Sequence, residues 1–220
     1  MSVPNDPHRD QPVLTLGPDP SAARLTMILL HGRGASAEDI LALAGELGIT
    51  DVAFVAPQAA GHTWYPYSFL APLHDNEPGI TSALAVIAGL VDSLVSRQIS
   101  HSRIGLLGFS QGACLALEFA ARHPRRYAAI VGLSGGLIGP PGTSRDYPGS
   151  LAGAPMFLGC SDVDAHIPLW RVRETADVFR RIGASVDERI YPRMGHTVSQ
   201  DEIRAVNALL LSNLRHGSDT

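Results

Sequence analysis

Six short runs of aliphatic and β-branched residues recur along the chain, at 25–30, 52–56, 104–108, 129–133, 155–159 and 186–191. The middle runs are almost continuously apolar, which is the pattern of strands buried on both faces. Between them, 37–47, 81–96, 111–122 and 169–182 repeat apolar residues at helical spacing, and a last helix is expected over about 199–214. Ser199, followed three positions on by Glu202, provides that helix with a capping box. Strand and helix in alternation predict an α/β fold, a mostly parallel sheet with helices on both faces.

Two connections are long. Residues 57–79 hold Trp64, Tyr65, Tyr67 and Phe69, and residues 134–153 are rich in Gly and Pro. Loops of that length in a small domain usually carry function, and in parallel sheets ligands bind at the carboxyl ends of the strands. Neither connection is large enough for a lid domain, so an open site is expected. The 220 residues fit one domain, expected at 21–215, after a flexible or extended segment 1–20 and before a tail 216–220.

Gly108-Phe109-Ser110-Gln111-Gly112 follows an apolar run and opens a helical one. A Gly-x-Ser-x-Gly in that context predicts a tight strand-to-helix turn that lifts the serine hydroxyl into a cleft. Small residues two positions on either side let strand and helix approach closely, and the free N–H groups of the helix converge on developing negative charge. The serine needs a base and an orienting acid, in the chain order Ser, Asp or Glu, His. His196, in Met194-Gly195-His196-Thr197, stands between the last strand and the last helix. Of the other eight histidines, His8 and His216 fall in expected tails, while His101 and His123 fall at the wrong end of the sheet. His62 and His74 precede the serine, and His31 ends the first run, where it shapes the following loop. For the acid, the segment 160–168 offers Asp162 and Asp164, which local spacing does not separate. The backbone N–H groups of Gln111 and of Arg33, in His31-Gly32-Arg33-Gly34, are the expected oxyanion donors.

Composition narrows the chemistry further. All 17 basic side chains are Arg, so Schiff-base lysines, Ser-x-x-Lys dyads and Walker-type phosphate loops are excluded. A net charge of −4 gives no pull toward nucleic acid. No His-x-x-x-His or Cys/His cluster suggests a metal, and no cofactor is expected. Cys114 and Cys160 read as packing residues. The first twelve residues lack the apolar run of a secretory signal, and no stretch reads as a membrane span, so a cytoplasmic protein is expected.

Leu30-His31-Gly32-Arg33-Gly34, Gly108-Phe109-Ser110-Gln111-Gly112-Ala113, Asp164-Ala165-His166-Ile167-Pro168 and Gly195-His196-Thr197 resemble, in order, the motifs of the phospholipase/carboxylesterase family. That family includes acyl-protein thioesterases and small bacterial carboxylesterases. The resemblance spans about 25–214 and implies the α/β-hydrolase fold. It also implies Asp164, four residues before a proline, as the acid, and the Arg33 and Gln111 backbones as oxyanion donors. The aromatic loop and Asn76-Glu77-Pro78-Gly79 look more like a bacterial subgroup of broad esterases.

The expected function is a serine hydrolase that cleaves small-molecule carboxylic esters or thioesters through an acyl-enzyme. The oligomeric state, including a homodimer, is left open. Trp64, Phe69, Leu73, Glu77 and His166 are the candidates for contact with substrate, together with 137–141. Trp64 and Phe69 could equally pack the loop onto the sheet. Two competing readings are a lactone or C–C bond hydrolase of the dienelactone-hydrolase type, and a catalytically inactive hydrolase fold that serves as a binding module. Dienelactone hydrolases typically use cysteine at the position of Ser110, and an inactive fold commonly loses one of the three residues.

Overall fold

A computed structural model describes residues 6–216. Its strands are β1 (Val13–Leu16), β2 (Leu25–Leu30), β3 (Val52–Pro57), β4 (Ile104–Phe109), β5 (Ile130–Leu133), β6 (Pro155–Ser161) and β7 (Ser185–Tyr191). Its α-helices are α1 (Ala37–Gly45), α2 (Gly79–Ser96), α3 (Gln111–Arg122), α4 (Leu169–Arg181) and α5 (Gln200–His216). All strands join one sheet in the order β1-β3-β2-β4-β5-β6-β7, parallel throughout except for β1. Every residue of β2 and β3 is buried, as their almost continuously apolar runs require.

The strand order reverses in the middle of the sheet. From β2 the chain moves outward to β3, then returns to pair β4 on the other side of β2 and continues through β5, β6 and β7. The carboxyl ends of β2 and β4 therefore flank the switch point, where open α/β sheets form their ligand crevice. Helices cover both faces, with α2, α3 and α4 packing into one core and α1 and α5 into the other.

The hydrophobic pattern missed β1. Val13 and Leu16 of this edge strand are exposed and Leu14 alone packs on the core, so the strand shows no apolar run or alternation to advertise it. Ahead of it, His8 lies within the fold rather than in a tail. It is 3 % exposed, its Nε2–H donates to Trp64 O at 2.9 Å, and its Nδ1 accepts from Ala60 N at 3.0 Å. His216, expected in the tail, is the last residue of α5, and residues 1–5 and 217–220 lie outside the described residues.

Helix α2 has the length and mean hydropathy, 1.7, of a membrane-crossing helix, so one stretch does reach that threshold. Its inner face, including Ile80, Ala83, Ile87 and Val91, is packed in the core. It starts two residues earlier than the periodicity predicts, where Glu77 Oε2 accepts from Thr81 N at 3.0 Å. The α5 capping box forms as expected. Ser199 Oγ accepts from Glu202 N at 3.2 Å, and Glu202 Oε2 accepts from Ser199 N at 2.7 Å. The other carboxylate oxygen of Glu202 is buried with no hydrogen-bond partner among the described residues, against Gly159 of β6.

Candidate active site

Ser110 stands between the last residue of β4 and the first of α3, with φ 54° and ψ −118°. A side chain at positive φ costs about 1–3 kcal/mol and persists only where the surroundings enforce it. Here its N–H donates to Leu133 O at 2.9 Å, and its carbonyl accepts from Cys114 N at 3.0 Å. The two flanking glycines are sterically obligatory. A Cβ at Gly108 would lie 2.3 Å from the Gly112 carbonyl, and one at Gly112 would lie 2.1 Å from Leu30 O. The helix thus begins in contact with the end of β2.

Ser110, His196 and Asp164 are brought into one hydrogen-bonded chain. The Ser110 hydroxyl is 2.8 Å from His196 Nε2, and His196 Nδ1 is 2.7 Å from Asp164 Oδ2. The other carboxylate oxygen accepts from the N–H groups of His166 (2.8 Å) and Ile167 (3.0 Å). Burial pushes the Asp164 carboxyl up, but the hydrogen bonds from His196, His166 and Ile167 outweigh it and hold the group below its ordinary value. Cys160 lies beneath, its thiol 3.7 Å from Asp164 Oδ2 and pushed up by burial to about 12, so it is a neutral thiol at physiological pH. Asp162 has a different position. Its Oδ1 accepts from Arg193 N at 2.7 Å, and Ser161 Oγ accepts from Gly195 N at 3.2 Å, so the end of β6 braces the loop that carries His196.

The loop after β2 lies against the serine. A Cβ at Gly32 would be 3.5 Å from Ser110 Cβ. His31, fully buried, sets the start of this loop: its Nδ1–H donates to Gly32 O at 2.8 Å and its Nε2 accepts from Ala59 N at 3.0 Å. The Arg33 guanidinium reaches across to the carbonyls of Pro66 (2.7 Å) and Tyr67 (2.6 Å), which commits it to loop structure. A role for the Gln111 side chain escaped the sequence reading. Its Oε1 accepts from Trp64 N at 2.9 Å and its Nε2 donates to Tyr65 O at 2.8 Å, so the residue after the serine clamps the aromatic loop.

A cleft of about 430 Å³ opens over Ser110 and His196, with Tyr65, Phe69, Cys114 and Ile167 on its apolar side and His166 at its rim. The His166 ring meets that of His196 edge-on, with centroids 4.7 Å apart. Of the residues expected to contact substrate, Phe69 and His166 line this cleft and three others do not. Trp64 is fully buried between His8 and His31, its indole N–H bonded to His31 O at 2.9 Å; it packs the loop. Leu73 packs against the core beside α2, and Glu77 is used at the start of α2. Leu137 and Ile138 are also core residues, tied down by Thr175, Glu118, Arg145 and Arg171.

A serine on a strained strand-to-helix turn, at the switch point of a sheet covered on both faces, defines an α/β-hydrolase. The chain belongs to the phospholipase/carboxylesterase family, whose model matches residues 17–213, and it is a hydrolase of the esterase and thioesterase type. A phospholipase/carboxylesterase crystal structure from Dyadobacter fermentans is 38 % identical and superposes with a TM-score of 0.88, covering 92 % of this chain and 97 % of that one. Mouse lysophospholipase-like protein 1 is 24 % identical over 213 residues, 88 % of this chain and 89 % of its own length. Acyl-protein thioesterase 2 from Zea mays, 21 % identical, shares the fold with a TM-score of 0.73 over 93 % of this chain and 99 % of that one.

Proposed function

We propose that the protein is a serine esterase that cleaves carboxylic esters or thioesters of small molecules through an acyl-enzyme. The observation that carries this reading is the unbroken chain from Ser110 through His196 to Asp164, with contacts of 2.8 and 2.7 Å. His196 Nε2 takes the Ser110 proton as Oγ bonds to the substrate carbonyl carbon, and the carbonyl oxygen becomes an oxyanion. The Arg33 and Gln111 amides receive that charge; the close approach of the Gly32 loop to Ser110 supports the first, and the position of Gln111 at the start of α3 supports the second. The tetrahedral intermediate collapses, the C–O or C–S bond breaks, and His196 gives its proton to the leaving alcohol or thiol. Water then adds to the acyl-enzyme with His196 again as base, releasing the acid and restoring the Ser110 hydroxyl. Asp164 fixes the tautomer and offsets the imidazolium charge.

Intact mass after treatment with a fluorophosphonate tests the reading. Folded wild-type protein should gain one adduct and Ser110→Ala none, with turnover of short-chain esters lost in the variant. An unlabelled folded wild type, or a variant with full esterase activity, would refute it.

A further inference from the structure

The crevice at the ends of β2 and β4 opens on both faces of the sheet. Toward α2, α3 and α4 it is the aromatic-loop cleft. Toward α1 and α5 there is a second cavity, also about 430 Å³, floored by Ile40, Leu43, Val198 and Ile203. Both volumes are of the size that holds small organic ligands, roughly 300–1,000 Å³. Gly32, Ala35 and Phe109 line both spaces, so the two share a wall next to the serine. Two of these three residues have almost no side chain, so little beyond the Phe109 ring stands between the two spaces. The third, Phe109, sets its ring against His196, with centroids 5.1 Å apart, and separates the two spaces.

We propose that the second cavity is the subsite for the alcohol or thiol half of the substrate, with the acyl half in the aromatic-loop cleft. The assignment rests on the serine-esterase reading and adds a direction to it. The leaving atom must receive its proton from His196, so the leaving group departs on the His196 side. Thr197 and Val198, the next two residues, run directly into the wall of the second cavity. The floor is apolar, and the rim carries the exposed carboxylates of Asp39 and Glu46, which repel an anionic tail and tolerate a neutral or cationic one. The leaving group that fits is therefore an apolar alcohol or thiol without a terminal negative charge.

Two ester series separate the halves: acetates of methanol, butanol and hexanol, and methyl esters of acetic, butyric and hexanoic acids. The variant is Leu43→Trp, which fills the second cavity from half-buried α1 and touches none of the three chemical residues. It should lower kcat/KM for hexyl acetate by about tenfold or more while methyl hexanoate changes by less than about twofold. Leu43→Ala, which enlarges the same space, should favour longer or bulkier alcohols and decides the matter if the larger side chain disrupts α1. Sensitivity that appears in the acyl series instead, or in neither series, would overturn the assignment. Failure of the wild type on both series would defeat the esterase reading itself, an outcome distinct from an active enzyme indifferent to Leu43.

Discussion

Asp162 and Asp164 are two residues apart and look alike in sequence, yet they do different work. Asp164 has a fully buried side chain that faces His196, whereas Asp162 is exposed and holds the Arg193 amide. Asp164→Asn should lower kcat about 10⁴-fold without unfolding the protein, by favouring the wrong imidazole tautomer. Asp162→Asn should retain activity within about tenfold, since a side-chain amide oxygen can still accept the Arg193 bond; steady-state kinetics on one ester compares them. Glu202 has a pH signature. Burial raises its carboxyl above the ordinary 4.5, against the opposing bonds from Ser199. Its contribution to stability is therefore complete below about pH 4.5 and is lost as pH rises through the folded value. Glu202→Gln removes that titration, so its stability relative to wild type should improve as pH rises, by about 1.4 kcal/mol per unit of displacement. Urea unfolding at pH 4.5 and 8 measures the difference, and a constant gap would contradict it.

Among the elements, those with several apolar residues at strand or helix spacing were legible and β1, without them, was not. The six apolar runs became β2 through β7, and the helices began or ended within a few residues of their periodic segments. Strand β1 was invisible because two of its three large apolar side chains, Val13 and Leu16, face solvent and only Leu14 reaches the core. The meeting of Ser110 and His196 was legible because their backbone setting has a signature: glycines that only close packing demands, and a loop between the last strand and the last helix. The substrate contacts were harder to read. A tryptophan in a loop is equally suited to a cleft or a core, and only the third dimension put Trp64 between two buried imidazoles. The Gln111 clamp links residues 47 and 46 positions apart in sequence, a pairing that no local pattern encodes. Gln111→Ala would leave the buried Trp64 amide without an acceptor, at a cost of about 1–3 kcal/mol. The aromatic loop should loosen, with faster hydrogen exchange over 64–69 and a fall in kcat/KM while α3 stays folded.

The whole molecule is expected to respond to acid through two histidines that take no part in the proposed chemistry. His8, from the first described turn, and His31, from the end of β2, are both buried, and each accepts a backbone hydrogen bond at one ring nitrogen. Burial lowers both below the ordinary 6.5, despite the opposing bonds that their ring N–H groups donate to Trp64 O and Gly32 O. A depressed imidazole supports the fold above about pH 6.5, and that support is lost as pH falls through the folded value. Urea unfolding should therefore show stability declining between pH 7.5 and 5, and the decline should be shallower in His8→Gln; equal slopes would exclude His8 as a contributor. The Gln111 clamp has a consequence on another timescale. It holds the main chain of the aromatic loop at Trp64 and Tyr65 through backbone groups alone, indifferent to which side chains the loop carries. Mutation can therefore exchange the residues that face the cleft one at a time without moving the track on which they ride. Descendants of this chain are free to acquire new substrates by small substitutions, while the machinery beside the loop is inherited unchanged.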